Sequence, residues 1–373
     1  MMNSLGLKTG RIPYLELGQW DKDELIEIKE AIDRVLRSGT FILGKELSSF
    51  ESEFAQFLGS RFAVGTASGT DAITIALKAL EISEGDEVIT SCLTAYPTIT
   101  GIERAGAIPV VVDVDERTGL ISPVEIKRAI TAKTRAIIPV HLWGFACNMP
   151  VIREIADDKG LKIVEDCAQG IGTRIAGKNA GGWSDCAAFS FYPTKNLGAV
   201  GDAGGIVTDD EAVMIRAAMI RNYGQVERDI NSIPGMNSRL DEIQAAVLRV
   251  KLKRLPENIR QRREIAARYD GELESLKYLA PLAGSVSGYH IYPVFTDKRD
   301  ELRAFLQENG VETMIHYPQL VHWQKSFYGR AEGNFDNAEK LVRQELSLPI
   351  SPLLSKIEQN RIIELINSWS KKC

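Results

Sequence analysis

The chain has 373 residues and a formal charge of −5, with 44% hydrophobic and 25% charged residues, an ordinary globular composition long enough for a large core and a smaller companion unit. It has no basic stripe to read nucleic acid, no apolar run near the roughly 18 residues of a membrane helix and no signal-peptide pattern at the start, so a cytoplasmic protein is expected. Five cysteines, at 92, 147, 167, 186 and 373, are scattered, odd in number and free of any C-x-x-C pair, which argues against a disulfide framework and a zinc site.

In chain order, residues 20–39 read as a helix that packs on the smaller unit or on a second subunit. Short apolar runs then alternate with helical stretches. RFAVG (61–65) precedes DAITIALKAL, EVITSC (87–92) precedes TITGIERAGA, IPVVVDV (108–114) precedes PVEIKRAIT, and RAIIPVH (135–141) precedes VIREIADDKG. LKIVED (161–166), DCAAFSF (185–191) and GIVT (205–208) complete the series. Such alternation, with strands rich in Val and Ile, predicts a mostly parallel sheet with helices on both faces, whose ligands sit at the C-terminal strand ends. Past Asp209 the pattern changes to amphipathic helices, LDEIQAAVLRVKLKRL and ENIRQRREIAARYDGELESL. A strand YHIYPVF, a helix RDELRAFLQENG stopped by Gly310, and a final helix IEQNRIIELINSWSKK follow. The expected division is an N-terminal segment plus large domain over 1–255 and a smaller domain over 256–373.

The stretch SFYPTKNLGAVGDAGG, residues 190–205, carries the chemistry. Lys195 lies just past a strand end, in a glycine-rich loop, 29 residues after Asp166, which ends LKIVED. An amine and a carboxylate at neighbouring strand ends suit pyridoxal phosphate, the amine forming a Schiff base and the carboxylate keeping the pyridine nitrogen protonated. A plain buried ion pair has the same spacing. In TASGTDA, Ser68, Gly69 and Thr70 stand at a strand-to-helix turn, where free N–H groups, the helix dipole and two hydroxyls favour a phosphate. The same residues also make a helix cap with no ligand. A metal-dependent hydrolase is not expected, because the four histidines, at 141, 290, 316 and 322, form no H-x-x-x-H pair.

GTASGTDA, PVHLWG, EDCAQGIG, SFYPTKNLGAVGDAGG, GMNSRLDEIQAA, IHYP and LSLPI, in this order between about residues 12 and 367, resemble the DegT/StrS family of pyridoxal-phosphate sugar aminotransferases. The resemblance implies an α/β, fold-type-I architecture with a seven-stranded, mostly parallel large domain and a smaller C-terminal α/β domain. It implies that Lys195 is the internal aldimine lysine and proton shuttle, that Asp166 pairs with the pyridine nitrogen, and that Gln169 lies near the ring and its 3-hydroxyl. Ser190 would bind the phosphate beside Ser68, Gly69 and Thr70. Asn237 would reach the phosphate in the neighbouring subunit with Arg239 nearby, making a homodimer with shared sites. The amino donor would be an amino acid, glutamate in this family, converting the cofactor to pyridoxamine phosphate. The acceptor would be a keto sugar, a nucleotide-linked 3- or 4-keto-6-deoxyhexose on the way to lipopolysaccharide or antibiotic sugars, with His316, Tyr317 and His322 along its cleft. Lysine rather than histidine at 195 separates amino transfer from the related sugar 3-dehydratases.

One stretch departs from the family pattern. Where many members read T-F-x-A-T, this chain reads TAYPT, so Ala95 takes the aromatic position and Tyr96 follows one place later. Tyr96 is expected to contact the cofactor, with a substrate contact or a core position as the alternatives. Plain structural roles are the alternatives elsewhere: a helix cap for Asn237, a surface charge for Arg239 and structural histidines. Alternative functions are amino transfer to a non-nucleotide keto sugar and a non-catalytic regulatory protein that retains the cofactor.

Overall fold

The computed structural model describes residues 10–371, apart from residues 275 and 280. Seven strands form the central sheet: β1 (Phe62–Thr66), β2 (Glu87–Ser91), β3 (Ile108–Val112), β4 (Thr134–Ile138), β5 (Lys162–Asp166), β6 (Cys186–Ser190) and β7 (Gly204–Thr208). Their order is β1-β7-β6-β5-β4-β2-β3, with β7 antiparallel to both neighbours and every other pairing parallel. All seven coincide with the runs read from the sequence, with ends that differ by up to three residues. Ile89, Ile137, Ile163 and Ala187 are fully buried, as expected for strands covered on both faces.

The covering helices are α1 (Lys22–Ser38), α2 (Lys45–Leu58), α3 (Gly69–Ala79), α4 (Pro97–Ala105), α5 (Pro123–Ala129), α6 (Met149–Lys159) and α7 (Glu211–Ile220). The two amphipathic stretches after residue 240 form a single helix, α8 (Glu242–Glu272), that continues through Pro256. The proline removes one N–H from the ladder, but Leu255 and Ile259 are buried on either side and hold the helix together. The boundary expected at residue 256 therefore falls inside a continuous element. Helix α1 packs Ile28, Ala31 and Val35 against Ala246, Val247 and Val250 of α8, not on the smaller unit.

The smaller unit comprises β8 (Tyr292–Phe295), α9 (Arg299–Glu308), α10 (Asp336–Gln344), β9 (Glu345–Leu348) and α11 (Lys356–Ser370). Antiparallel β8 and β9 pack Tyr292, Leu346 and Leu348 with Leu302, Ile362 and Ile366. A capping box between Ser355 and Glu358 starts α11. Helices α2, α7 and α10 and strand β9 were not among the sequence expectations. The N-cap of α2 is Gly44, which has no side chain, and the first turn is held instead by Glu242 of α8, which accepts from the N–H groups of Glu46 (2.8 Å) and Leu47 (3.0 Å). The start of α10 is held by Asp113 from the large domain, which accepts from the N–H groups of Asn337 (3.1 Å) and Ala338 (2.9 Å); a cap that distant leaves no local signal. Cys92, Cys147, Cys167 and Cys186 are buried and unpaired, and Cys373 lies outside the described residues. No helix among the described residues is long and apolar enough to cross a membrane.

Candidate active site

The C-terminal ends of β1, β5 and β6 lie at the same end of the sheet. Asp166 closes β5 and is 4% exposed. One carboxylate oxygen accepts from the Ala168 N–H (3.0 Å) and the other from the Thr98 hydroxyl (2.8 Å), delivered by the first turn of α4. Burial raises this carboxyl above its ordinary value, while the two donors and the charge of Lys195 act in the opposite direction. Thr98 thus helps to keep Asp166 ionised, and nothing local in the sequence distinguishes it from the other threonines of TAYPTIT.

Lys195 is half-buried, and no acceptor among the described residues holds its Nζ within hydrogen-bond range. Its backbone N–H donates to the Tyr192 carbonyl (2.8 Å). Beside it, Asn196 Nδ2 donates to the carbonyls of Ile171 (3.1 Å) and Gly288 (2.9 Å) and fastens the loop. Desolvation brings the amine from 10.5 down to about 8, with the Asp166 charge opposing. An amine so placed exists in both protonation states near neutral pH.

The strand register forms the cradle. Thr66 and Ser190 both pair with Gly204, so the turn after β1 and the end of β6 flank the start of β7. A Cβ at Gly204 would stand 2.3 Å from the Ser68 carbonyl carbon, and one at Gly69 would stand 2.7 Å from the Ser190 Cβ, so both must be glycine for the turn to seat. Ser68 caps α3, its hydroxyl accepting from the Asp71 N–H (3.1 Å). Gly69 and Thr70 are the first residues of that helix, whose leading N–H groups have no intrahelical acceptor. Ser190 Oγ accepts from the Tyr192 N–H (3.3 Å).

Gln169 is fixed from two directions. Its Oε1 accepts from the Trp143 N–H (2.6 Å) and its Nε2 donates to the Tyr317 hydroxyl (2.8 Å). Trp143 is fully buried with φ 59°, a costly conformation for an aromatic residue, and its indole N–H donates to the His316 carbonyl (3.0 Å). His316 Nδ1 lies 2.8 Å from Ser347 Oγ, and its backbone N–H donates to Glu345 (2.8 Å). Burial and the Lys195 charge lower His316 to about 4. His290, which the sequence reading left without a role, is lowered well below its ordinary value by burial and then by Lys195 and Arg262. Both imidazoles are neutral at physiological pH.

Other expected residues lie further out. Tyr96 precedes α4, its hydroxyl accepting from Ser326 (2.6 Å), and lines a cavity of about 380 Å³ with Thr94 and Tyr317. The partners of His322 are the Phe335 ring at 4.2 Å and Glu339 at 3.6 Å, not the groups around Lys195. Asn237 is exposed on this chain, while the adjacent Ser238 is buried and ties Asp71 (2.8 Å) to the Ala67 N–H (3.1 Å). Arg239 donates to Asn222 (3.1 Å) and stands over the Tyr223 ring at 5.4 Å. His141, Glu165 and Cys167 come together in the interior. The Cys147 N–H donates to His141 Nδ1 (3.2 Å), so Nε2 carries the proton and donates to Glu165 (2.8 Å). Glu165 also accepts from Gly181, Trp183 and Ser184, which makes the group an internal polar network.

The DegT/DnrJ/EryC1/StrS aminotransferase family matches residues 22–367. The chain belongs to this family. It is 42% identical over 372 residues to the dTDP-3-amino-3,4,6-trideoxy-alpha-D-glucose transaminase of Streptomyces venezuelae, covering 98% of each. The solved structure of S. venezuelae DesV superposes with a TM-score of 0.95 at 41% identity, over 98% of this chain and 100% of that one. The NtdA structure from Bacillus subtilis, with bound cofactor PMP, superposes with a TM-score of 0.91 at 32% identity, over 97% of this chain and 86% of that one. The protein is an aminotransferase of fold type I that uses pyridoxal phosphate. The residues present fit that group: a buried carboxylate with two donors, an amine free of hydrogen bonds, and a helix N-terminus at a turn too close for any side chain larger than glycine.

Proposed function

We propose that the protein moves the amino group of an amino acid, glutamate by family resemblance, to the keto carbon of a nucleotide-linked 6-deoxyhexose, with position 3 favoured by the named relative. The observation that carries the reading is Lys195, an amine brought to about 8 next to a buried carboxylate. Pyridoxal phosphate, when bound, supplies the electron sink for the transfer. Lys195 Nζ takes the proton from the donor carbon and returns one in the sugar half-reaction, which requires its neutral form in one half of the cycle. Asp166 keeps a positive charge on the pyridine nitrogen. Ser68, Gly69, Thr70 and Ser190 hold the phosphate, Gln169 orients the ring edge, and Tyr96, His316 and Tyr317 line the path of the sugar.

The working unit in this reading is a homodimer. Asn237 is exposed, and a few residues further along the chain the exposed Phe41, Ile42 and Leu43 (47%, 41% and 41%) run alongside, Ile42 bridging to Asp241 and the Phe41 carbonyl accepting from the Glu242 N–H (3.0 Å). An exposed apolar trio near a polar residue suits an isologous contact. Four buried, unpaired cysteines agree with a cytoplasmic setting.

The test is to supply glutamate and a dTDP-linked 3-keto-6-deoxyhexose to the loaded enzyme and to measure 2-oxoglutarate and the amino sugar. Absence of both products, with the 4-keto isomer and free keto sugars also inert, would reject the activity. For the dimer, Lys195→Ala and Asn237→Ala chains are mixed. If Asn237 serves the neighbouring site, each mixed dimer regains one intact site and activity returns; no recovery would place Asn237 in its own chain's site or outside both.

A further inference from the structure

Arg262, on α8, is 6% exposed. Its Nη1 donates to the carbonyls of Ile350 (2.9 Å) and Tyr289 (3.2 Å). No described residue accepts from its Nε or Nη2, and no ion pair joins it to a described carboxylate. Burial lowers it to about 10, so it carries its charge at neutral pH. A buried cation without a counter-ion is costly, and the free half of the guanidinium is the fork that fits two oxygens of one anion.

That free half borders open space. Arg262 lines a cavity of about 570 Å³ with Tyr14, Thr194, His290 and His316. It also lines a second cavity, of about 450 Å³, that takes in Lys195 and Asn196; Leu15 and Leu17 are common to both. Glu16, Asp21, Glu24 and Glu257 lie on the wall of the second cavity, but none of them forms an ion pair with Arg262. Glu312, on the wall of the first cavity, pairs with Arg11. Glu345, behind His316, is pushed up to about 8 by burial and is mostly protonated at neutral pH. The two imidazoles are neutral.

We propose that Arg262 anchors a carboxylate of the amino donor through Nε and Nη2, with the donor's amine directed to Lys195. The proposal deepens the amino-transfer reading and rests on it. A carboxylate is preferred to a sugar-nucleotide phosphate because the guanidinium is deep, offers one two-pronged face, and shares its space with Lys195, as a compact donor requires.

Calorimetry on the pyridoxal-phosphate-loaded protein tests this with three probes: glutarate, which keeps both carboxylates and lacks the amine; glutaramide, its neutral analogue; and inorganic pyrophosphate. Wild type should bind glutarate at least about 10-fold more tightly than glutaramide, and Arg262→Gln should lose about 10- to 100-fold in glutarate affinity while binding pyrophosphate unchanged. Arg262→Lys, which keeps the charge and the carbonyl contacts but not the fork, should lose about 10-fold and serves if the glutamine variant does not fold. Equal glutarate affinity in wild type and variant would reduce Arg262 to a tie between carbonyls. A loss confined to pyrophosphate would reassign the charge to the acceptor. Failure of the amino-transfer reading looks different: glutamate would leave the visible band of wild type unmoved, whatever glutarate does.

Discussion

Thr98→Val tests the inner link of the site. The residue is 1% exposed, and its hydroxyl donates to Asp166 at 2.8 Å and meets Thr94 Oγ1 at 2.9 Å. Valine keeps the shape and removes the donor, leaving the buried carboxylate with the Ala168 N–H alone. A hydrogen bond to a charged group contributes about 1.5–3 kcal/mol, which at about 1.4 kcal/mol per decade shifts the balance between charged and neutral Asp166 by roughly 10- to 150-fold towards neutral. A neutral carboxyl cannot hold a proton on the pyridine nitrogen, so cofactor affinity should fall by up to that factor. The assay is titration of pyridoxal phosphate into the cofactor-free variant, read from its visible band, with the melting midpoint of the cofactor-free protein as control. Cofactor affinity within about twofold of wild type, in a folded variant, would refute the claim that Thr98 sets the charge of Asp166.

Further outcomes are expected. Lys195→Ala should abolish the visible band and amino transfer without lowering the melting midpoint, because the amine is half-buried without a hydrogen bond; retained turnover would remove the assignment. Gly69→Ala places a Cβ 2.7 Å from the Ser190 Cβ, an overpacking that costs about 1–3 kcal/mol, and should weaken inhibition by inorganic phosphate together with cofactor binding; unchanged values would separate the turn from the phosphate. Glu345, pushed by burial from 4.5 up to about 8, binds in the folded state a proton that the unfolded chain releases above about 4.5, so its contribution to stability falls as pH rises from about 4.5 to about 8. Glu345→Gln should therefore gain in melting midpoint relative to wild type across that window, and a constant difference from pH 5 to pH 9 would mean that the folded carboxyl is ionised.

The sheet was legible because each parallel strand is a short run of Val, Ile and Ala with a helix after it, so periodicity and length agree. The candidate site was legible as far as it lies at strand ends: Asp166, Ser190, Lys195 and the Ser68–Thr70 turn all sit where the local pattern changes. What the sequence hid is what acts across the fold. Thr98 acts on Asp166 across 68 residues, Gln169 is held by Tyr317 across 148, and Asp113 caps α10 across 224. None of these has a spacing that local reasoning can detect. The two amphipathic stretches that meet at Pro256 form one helix for the opposite reason, since the tertiary packing of Leu255 and Ile259 outweighs the one hydrogen bond that the proline removes.

These long-range contacts bear on how the site is kept together. Gln169 stands at the end of the large-domain sheet, yet its amide is oriented by Tyr317, from the segment between α9 and α10 of the smaller unit, and by the strained Trp143 turn, whose indole holds His316 from the same segment. The residues proposed to hold the cofactor and those proposed to face the sugar are thus wired together rather than merely adjacent. Tyr317→Phe tests this coupling: it removes one acceptor and leaves the ring, so a purely substrate-lining role would raise KM for the keto sugar alone. If Tyr317 also orients Gln169, the glutamate half-reaction, which involves no sugar, should slow as well, by about 5- to 10-fold for the loss of one neutral hydrogen bond of about 1 kcal/mol. A glutamate half-reaction at the wild-type rate would sever the link.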